Sequence, residues 1–76
     1  MKFLDAKKLA EHGVIYGYDA VRHFDDWCLV LDFDELKAPV TLLNTHGSVK
    51  YYKTLDSLVR DVERISGQDI NKLLLK

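Results

Sequence analysis

The side chains able to do chemistry in this chain are few and scattered: histidines at 12, 23 and 46, one cysteine at 28, and carboxylates concentrated before position 36. A metal centre needs converging ligands, which a sequence announces by close pairs such as HxxxH or CxxC. His12, His23 and His46 make no such pair and fall in three separate segments, so no metal is expected. His12 stands where a first helix would end, His23 on a half-exposed strand and His46 in a turn. Cys28 with a histidine would make a nucleophile and its base. Cys28, however, lies within an apolar run beside Trp27, with no helix N-terminus or cation to lower its pKa. There is also no phosphate-cradling glycine loop, dinucleotide-binding glycine signature or nucleophile-elbow serine. Neither catalysis nor a cofactor is expected.

Two features point to binding instead. Between positions 19 and 35 the acids Asp19, Asp25, Asp26, Asp32, Asp34 and Glu35 face Arg22 as the one base. Such a segment is either a solvated hairpin tip and loop or an anchor for a basic partner, including a protein groove that otherwise holds nucleic acid. Asp25, Asp26, Asp34 and Glu35 are the candidates for that contact. The second feature is Lys50-Tyr51-Tyr52-Lys53, where strand alternation places Lys50 with Tyr52 on one face and Tyr51 with Lys53 on the other. One tyrosine belongs to the core. The other, beside a lysine, would stack on a base or anchor a protein contact. Lys50, Tyr52 and Lys53 complete the candidate set. From position 49 onward bases outnumber acids, so the chain is a weak dipole, which a charge-complementary homodimer would also use.

The elements that must position these residues follow from pattern. Asp5 is placed to cap a short helix over 6–12, with Leu9 facing the core and Gly13 ending it. Residues 18–24 and 27–33 favour strand, with Asp25-Asp26 as the turn between them, and Trp27, Leu29, Leu31 and Phe33 share the core face. A second hairpin joins 40–44 to 49–53 through a turn containing Gly47. Thr54 then caps a long amphipathic helix whose stripe is Leu55, Leu58, Val59, Val62 and Ile65, stopped by Gly67; Asp56 and Arg60 stand four apart on its solvent side. Residues 70–75 fit a last edge strand or, capped by Asp69, a final helical turn; the strand is preferred. The expected fold is α+β: an antiparallel sheet of four to five strands in two hairpins, with the long helix on one face. The other face is open unless the first helix or another chain covers it.

At 76 residues, with 47% hydrophobic and 30% charged side chains, the chain is expected to form a single domain with one thin core and no room for an enclosed site. A formal charge of −1 removes the footprint of a dedicated nucleic-acid binder. The longest apolar runs, 28–31 and 73–75, are far too short to span a bilayer, and charges at 5, 7 and 8 interrupt any secretory signal. A lone cysteine suits a reducing compartment, so a cytoplasmic location is expected.

Gly17-Tyr18, Ala20-Val21-Arg22, Trp27, Leu43, Thr45, Gly47, Lys53-Thr54-Leu55-Asp56 and Gly67 together resemble the pattern of small ParC-like plasmid partition-associated proteins. His46 stands where that pattern has arginine, and Tyr52 where it has phenylalanine. The resemblance implies a non-catalytic accessory protein of a plasmid or other mobile element, working with a partition ATPase and its DNA-binding partner. An alternative is an anti-CRISPR-type inhibitor whose acidic segment fills the basic channel of a CRISPR effector. A weaker alternative is a small DNA-binding regulator using Lys50, Tyr52, Lys53 and the long helix.

Overall fold

The computed structural model describes residues 1–34, 37–67 and 73–75, the last three as backbone. Its elements are α1 (Phe3–Glu11), β1 (Gly17–His23), β2 (Asp26–Asp32), β3 (Val40–Thr41), β4 (Tyr51–Tyr52), α2 (Leu55–Ser66) and β5 (Leu73–Leu75). The class is α+β. One sheet has the order β3-β2-β1-β5, with β4 also paired to β2.

β1 and β2 form the expected antiparallel hairpin, from Gly17 opposite Asp32 to His23 opposite Asp26. Its turn is Phe24-Asp25, one position earlier than the Asp25-Asp26 expected from sequence, because Asp26 belongs to the ladder. The register decides this. Pairing Tyr18 with Leu31 and Ala20 with Leu29 puts the buried side chains of both strands on one face, and a slip of one residue would turn one strand's set outward. Phe24 therefore takes the left-handed conformation, at φ 55°, which a hairpin turn usually gives to glycine or asparagine.

The second hairpin forms only near its turn. Asn44 N–H donates to the Ser48 carbonyl at 2.7 Å, Asn44 Oδ1 accepts from the N–H groups of His46 (2.9 Å) and Ser48 (3.1 Å), and Leu43 bridges Val49. Past one further bond, from the Lys50 N–H to the Leu42 carbonyl at 3.1 Å, both arms turn to the free edge of β2, β3 beside Val30 and Leu31, β4 beside Trp27 and Cys28. They lie end to end along one strand instead of pairing with each other. Leu42, between them, donates its N–H to the Leu29 carbonyl at 2.8 Å and is fully buried, so the arrangement adds a core residue that a plain hairpin would not guarantee.

The sheet is not wholly antiparallel, because β5 runs parallel to β1, with Tyr18 opposite Leu73. Topology requires it. β4 and β1 are both antiparallel to β2, and α2 carries the chain from the β4 edge over the sheet to the β1 side, the long crossover that a parallel neighbour needs. The strand reading of the tail holds for 73–75, whereas 70–72 lie outside the described residues.

α2 forms as its pattern requires. Thr54 Oγ1 accepts the Ser57 N–H at 3.2 Å, Gly67 closes the helix at φ 75°, and Leu58, Val62 and Ile65 are buried while Leu55 and Val59 are half-buried. Thr54→Ala is expected to lower stability by about 1 kcal/mol in urea denaturation, since one helix N–H loses its acceptor. An unchanged midpoint would show that the hydroxyl does not act as a cap. α1 departs from expectation: it begins at Phe3, with no side-chain cap, and Asp5 sits in its first turn. Lys2 bridges Leu43 and holds the backbone extended, so helix starts directly after it.

α1 packs on α2, and α2 packs on β1, β2 and β4. Ala6 of α1 and Leu58, Val62 and Ile65 of α2 share one buried cluster with Tyr18, Ala20, Leu29, Leu31, Leu42 and Tyr52, against which Trp27 and Phe33 are partly buried. Both helices thus serve the same side of the sheet. The outer side carries Asp19, Val21 and His23 of β1, Asp26, Cys28, Val30 and Asp32 of β2, Thr41 and Tyr51.

Candidate functional site

The outer face has an aliphatic stretch next to the buried Asp19, which lies opposite Val30. Val21 lies opposite Cys28, which lies opposite Tyr51, and Val30 lies opposite Thr41; Val21, Cys28, Val30 and Thr41 are all half-buried. Neither helix covers them. At the hairpin end the face becomes aromatic. The His23 ring stacks on Tyr51 at 5.3 Å and 28°, and Phe24 meets His23 edge-on at 4.8 Å and 79°. From the other side Arg22 braces the turn: its Nε donates to the Phe24 carbonyl at 3.1 Å, and its guanidinium lies 5.5 Å from the Trp27 ring centre.

Phe24 is the unusual residue here. Its side chain is 85% exposed, and its φ of 55° is one that a bulky L-residue adopts at a cost of about 1–2 kcal/mol. Burial offsets none of that cost. A large apolar ring is thus held in solvent on a strained turn.

The acids named from sequence do not form one patch. Asp25 is exposed at the tip. Asp26 is half-buried in the ladder and meets Lys53 Nζ at 3.2 Å (Oδ1) and 3.4 Å (Oδ2), a contact limited by the 88% exposure of the lysine side chain. Asp34 lies two residues past the end of β2, whose first residue is Asp26, so the length of the strand separates the two. Glu35 lies outside the described residues.

Lys50 and Tyr52 share a face, as alternation requires, and it is the inner one. Both converge on Asp61 of α2: Lys50 Nζ lies 2.6 Å from Oδ2, the Tyr52 hydroxyl donates to the same oxygen at 2.7 Å, and Arg64 approaches Oδ1 at 3.6 Å. Tyr52 is 5% exposed and belongs to the core, so Tyr51 is the tyrosine available for surface contact, at 48% exposure. Burial alone would raise the Asp61 pKa; hydrogen bonds from Lys50 and Tyr52, with the charges of Lys50 and Arg64, outweigh it and hold the carboxyl below its usual value. Burial, with the Asp61 bond and charge, drives the Tyr52 hydroxyl far above the ordinary tyrosine range. Asp61 had a legible signal. It stands at i+3 between Leu58 and Ile65, so it shares the buried stripe of α2 and must find partners there.

The Cys28 thiol on the outer face is not activated for covalent chemistry. Burial raises the Cys28 thiol, which works against the reactive thiolate. His12 closes α1 with Nδ1 2.7 Å from the Lys8 carbonyl, His46 sits in the Asn44 turn and His23 lies at the hairpin end. Among the described residues no three His, Cys, Asp or Glu side chains are grouped to hold a metal, and no helix is long and apolar enough to cross a membrane. What the face offers is apolar contact area and, at the hairpin end, exposed aromatic rings with Asp25 and Asp26; Asp19 and Asp32 lie toward its other end. No family model, curated protein or solved structure matches the chain.

Proposed function

We propose that this chain is a non-catalytic interaction protein that binds a larger protein through the helix-free side of its sheet, with Phe24 as the leading contact. The observation that carries this reading is Phe24 itself, strained in backbone and exposed in side chain, at the end of a half-exposed aliphatic stretch. Asp25 and Asp26 beside it would repel phosphates, which favours a protein partner over nucleic acid. The resemblance to ParC-like accessory proteins makes a partition ATPase or its DNA-binding partner, in the cytoplasm of a cell carrying a plasmid or other mobile element, the first partner to test. Asp25 at the tip supports a second reading, an inhibitor of a CRISPR effector, because an exposed carboxylate beside an anchoring ring suits a basic channel.

The test is affinity capture of the tagged chain from its host, with each recovered protein quantified by mass spectrometry against two variants. Val21→Lys places a charge in the aliphatic stretch of the face, and Arg60→Glu reverses one on the exposed side of α2. The expected result is a partner lost with Val21→Lys and kept with Arg60→Glu, both variants being folded by circular dichroism. A partner kept by Val21→Lys and lost with Arg60→Glu would place binding on the helices and overturn the reading.

A further inference from the structure

Building on that reading, we infer the chemistry of the partner surface: a basic amphipathic segment laid along β1 and β2, with apolar side chains over Val21, Cys28 and Val30 and a lysine or arginine beside Asp25 and Asp26. Three observations converge. Val21, Cys28 and Val30 are half-exposed there, with Asp19 beside Val30 buried, so the surface left for contact is apolar and the complementary strip must be apolar. Its hairpin end presents Asp25 and Asp26 next to Phe24, so a cation there gains attraction and an anion is repelled. Among the described residues Lys53 is the one lysine or arginine on that side of the hairpin end, and it already meets Asp26, which leaves Asp25 exposed at the tip for a cation from outside.

The same distribution argues against the other occupants. In a two-fold homodimer through this face, Asp25 and Asp26 would meet a surface on which, among the described residues, Lys53 is the one lysine or arginine. An anionic membrane surface or a nucleic acid would meet Asp25 first. From Asp26 to Val30 the strand runs roughly 13 Å, the length of about nine helical residues, so a short peptide can cover the face.

A direct test titrates the 15N-labelled chain with two acetylated, amidated 14-residue peptides sharing one leucine stripe, one with lysine on its polar face and one with glutamate. The lysine peptide is expected to shift the backbone amides of Val21, Phe24 to Val30 and Tyr51. Its Kd should rise at least tenfold between 50 and 300 mM salt. Asp25→Lys with Asp26→Lys should weaken it by a further tenfold or more; Asp25→Asn, which leaves the Lys53 contact intact, should weaken it severalfold if the double variant fails to fold. The inference is overturned if the glutamate peptide binds as well, if binding ignores charge reversal, if the shifts map to α1 and α2, or if neither peptide binds. None of these results touches the Val21→Lys capture experiment, so loss of the proposed chemistry remains separable from loss of the proposed face.

Discussion

Asp61→Ala is expected to lower the unfolding free energy by about 2 kcal/mol, a large share of the roughly 4–11 kcal/mol available to a domain of this size. The substitution leaves the Tyr52 hydroxyl buried without its acceptor, and unpaired buried hydroxyls cost about 1–3 kcal/mol. Lys50 contributes less to the loss, because its side chain is 38% exposed and turns to water once the carboxylate is gone. The melting temperature should fall by roughly 8–16 °C, measured by circular dichroism. Asp61 also ties the stretch after β3 to α2 through Lys50, so its loss loosens the point where the chain returns to β2.

The pH dependence of this network has a definite sign. Asp61 is held below its usual pKa in the folded chain, so its contribution is full above the ordinary carboxylate value and is lost as pH falls through the depressed one. Tyr52 is held above its usual value, so its contribution is full below about pH 10 and declines as pH rises beyond that. Stability should therefore be flat across neutral pH and fall at both ends. Asp61→Asn should remove most of the acid-side fall attributable to this carboxyl. Equal acid sensitivity in the wild type and Asp61→Asn would show that the carboxyl does not carry the effect.

Phe24→Asn should behave in the opposite way: little change in stability and a large loss of binding. Asparagine tolerates φ 55° better than phenylalanine, which relieves strain, while the edge contact with His23 worth about 0.5–1.5 kcal/mol is lost. The two nearly cancel, leaving the melting temperature within a few degrees of wild type. Partner affinity should fall about 30-fold, the roughly 2 kcal/mol that a central aromatic anchor supplies. Destabilisation by 3 kcal/mol or more would make Phe24 a structural residue, and unchanged affinity would remove it from the contact.

The helix and strand pattern was legible where burial imposes a period. Spacing alone places Leu58, Val62 and Ile65 on α2, and Leu29 and Leu31 on β2, in the core, and all are buried. The caps at Thr54 and Gly67 were legible because few residues make those bonds or adopt that φ. The hairpin turn was not, because Asp25-Asp26 is the better turn by residue preference and Phe24-Asp25 wins only through the register of the flanking strands. For the same reason residue preference puts Phe24 at the end of the first strand, whereas the register puts it in the exposed turn. The split of β3 and β4 along β2 was hidden by a loop that satisfies hairpin rules locally while its arms gain more from an existing long strand. In the Lys50–Lys53 motif alternation paired Lys50 with Tyr52 correctly, but which pair faces inward depends on Asp61 across a sequence separation that periodicity does not reach.

The measurement that tests the central claim most directly is site-specific photo-crosslinking in the host cell, with benzoylphenylalanine placed at position 24 in one variant and at position 60 in another. The helix-free face with its hairpin tip as the contact surface predicts a discrete crosslinked protein from position 24 and none from position 60. A discrete product from position 60 with none from position 24 would contradict it.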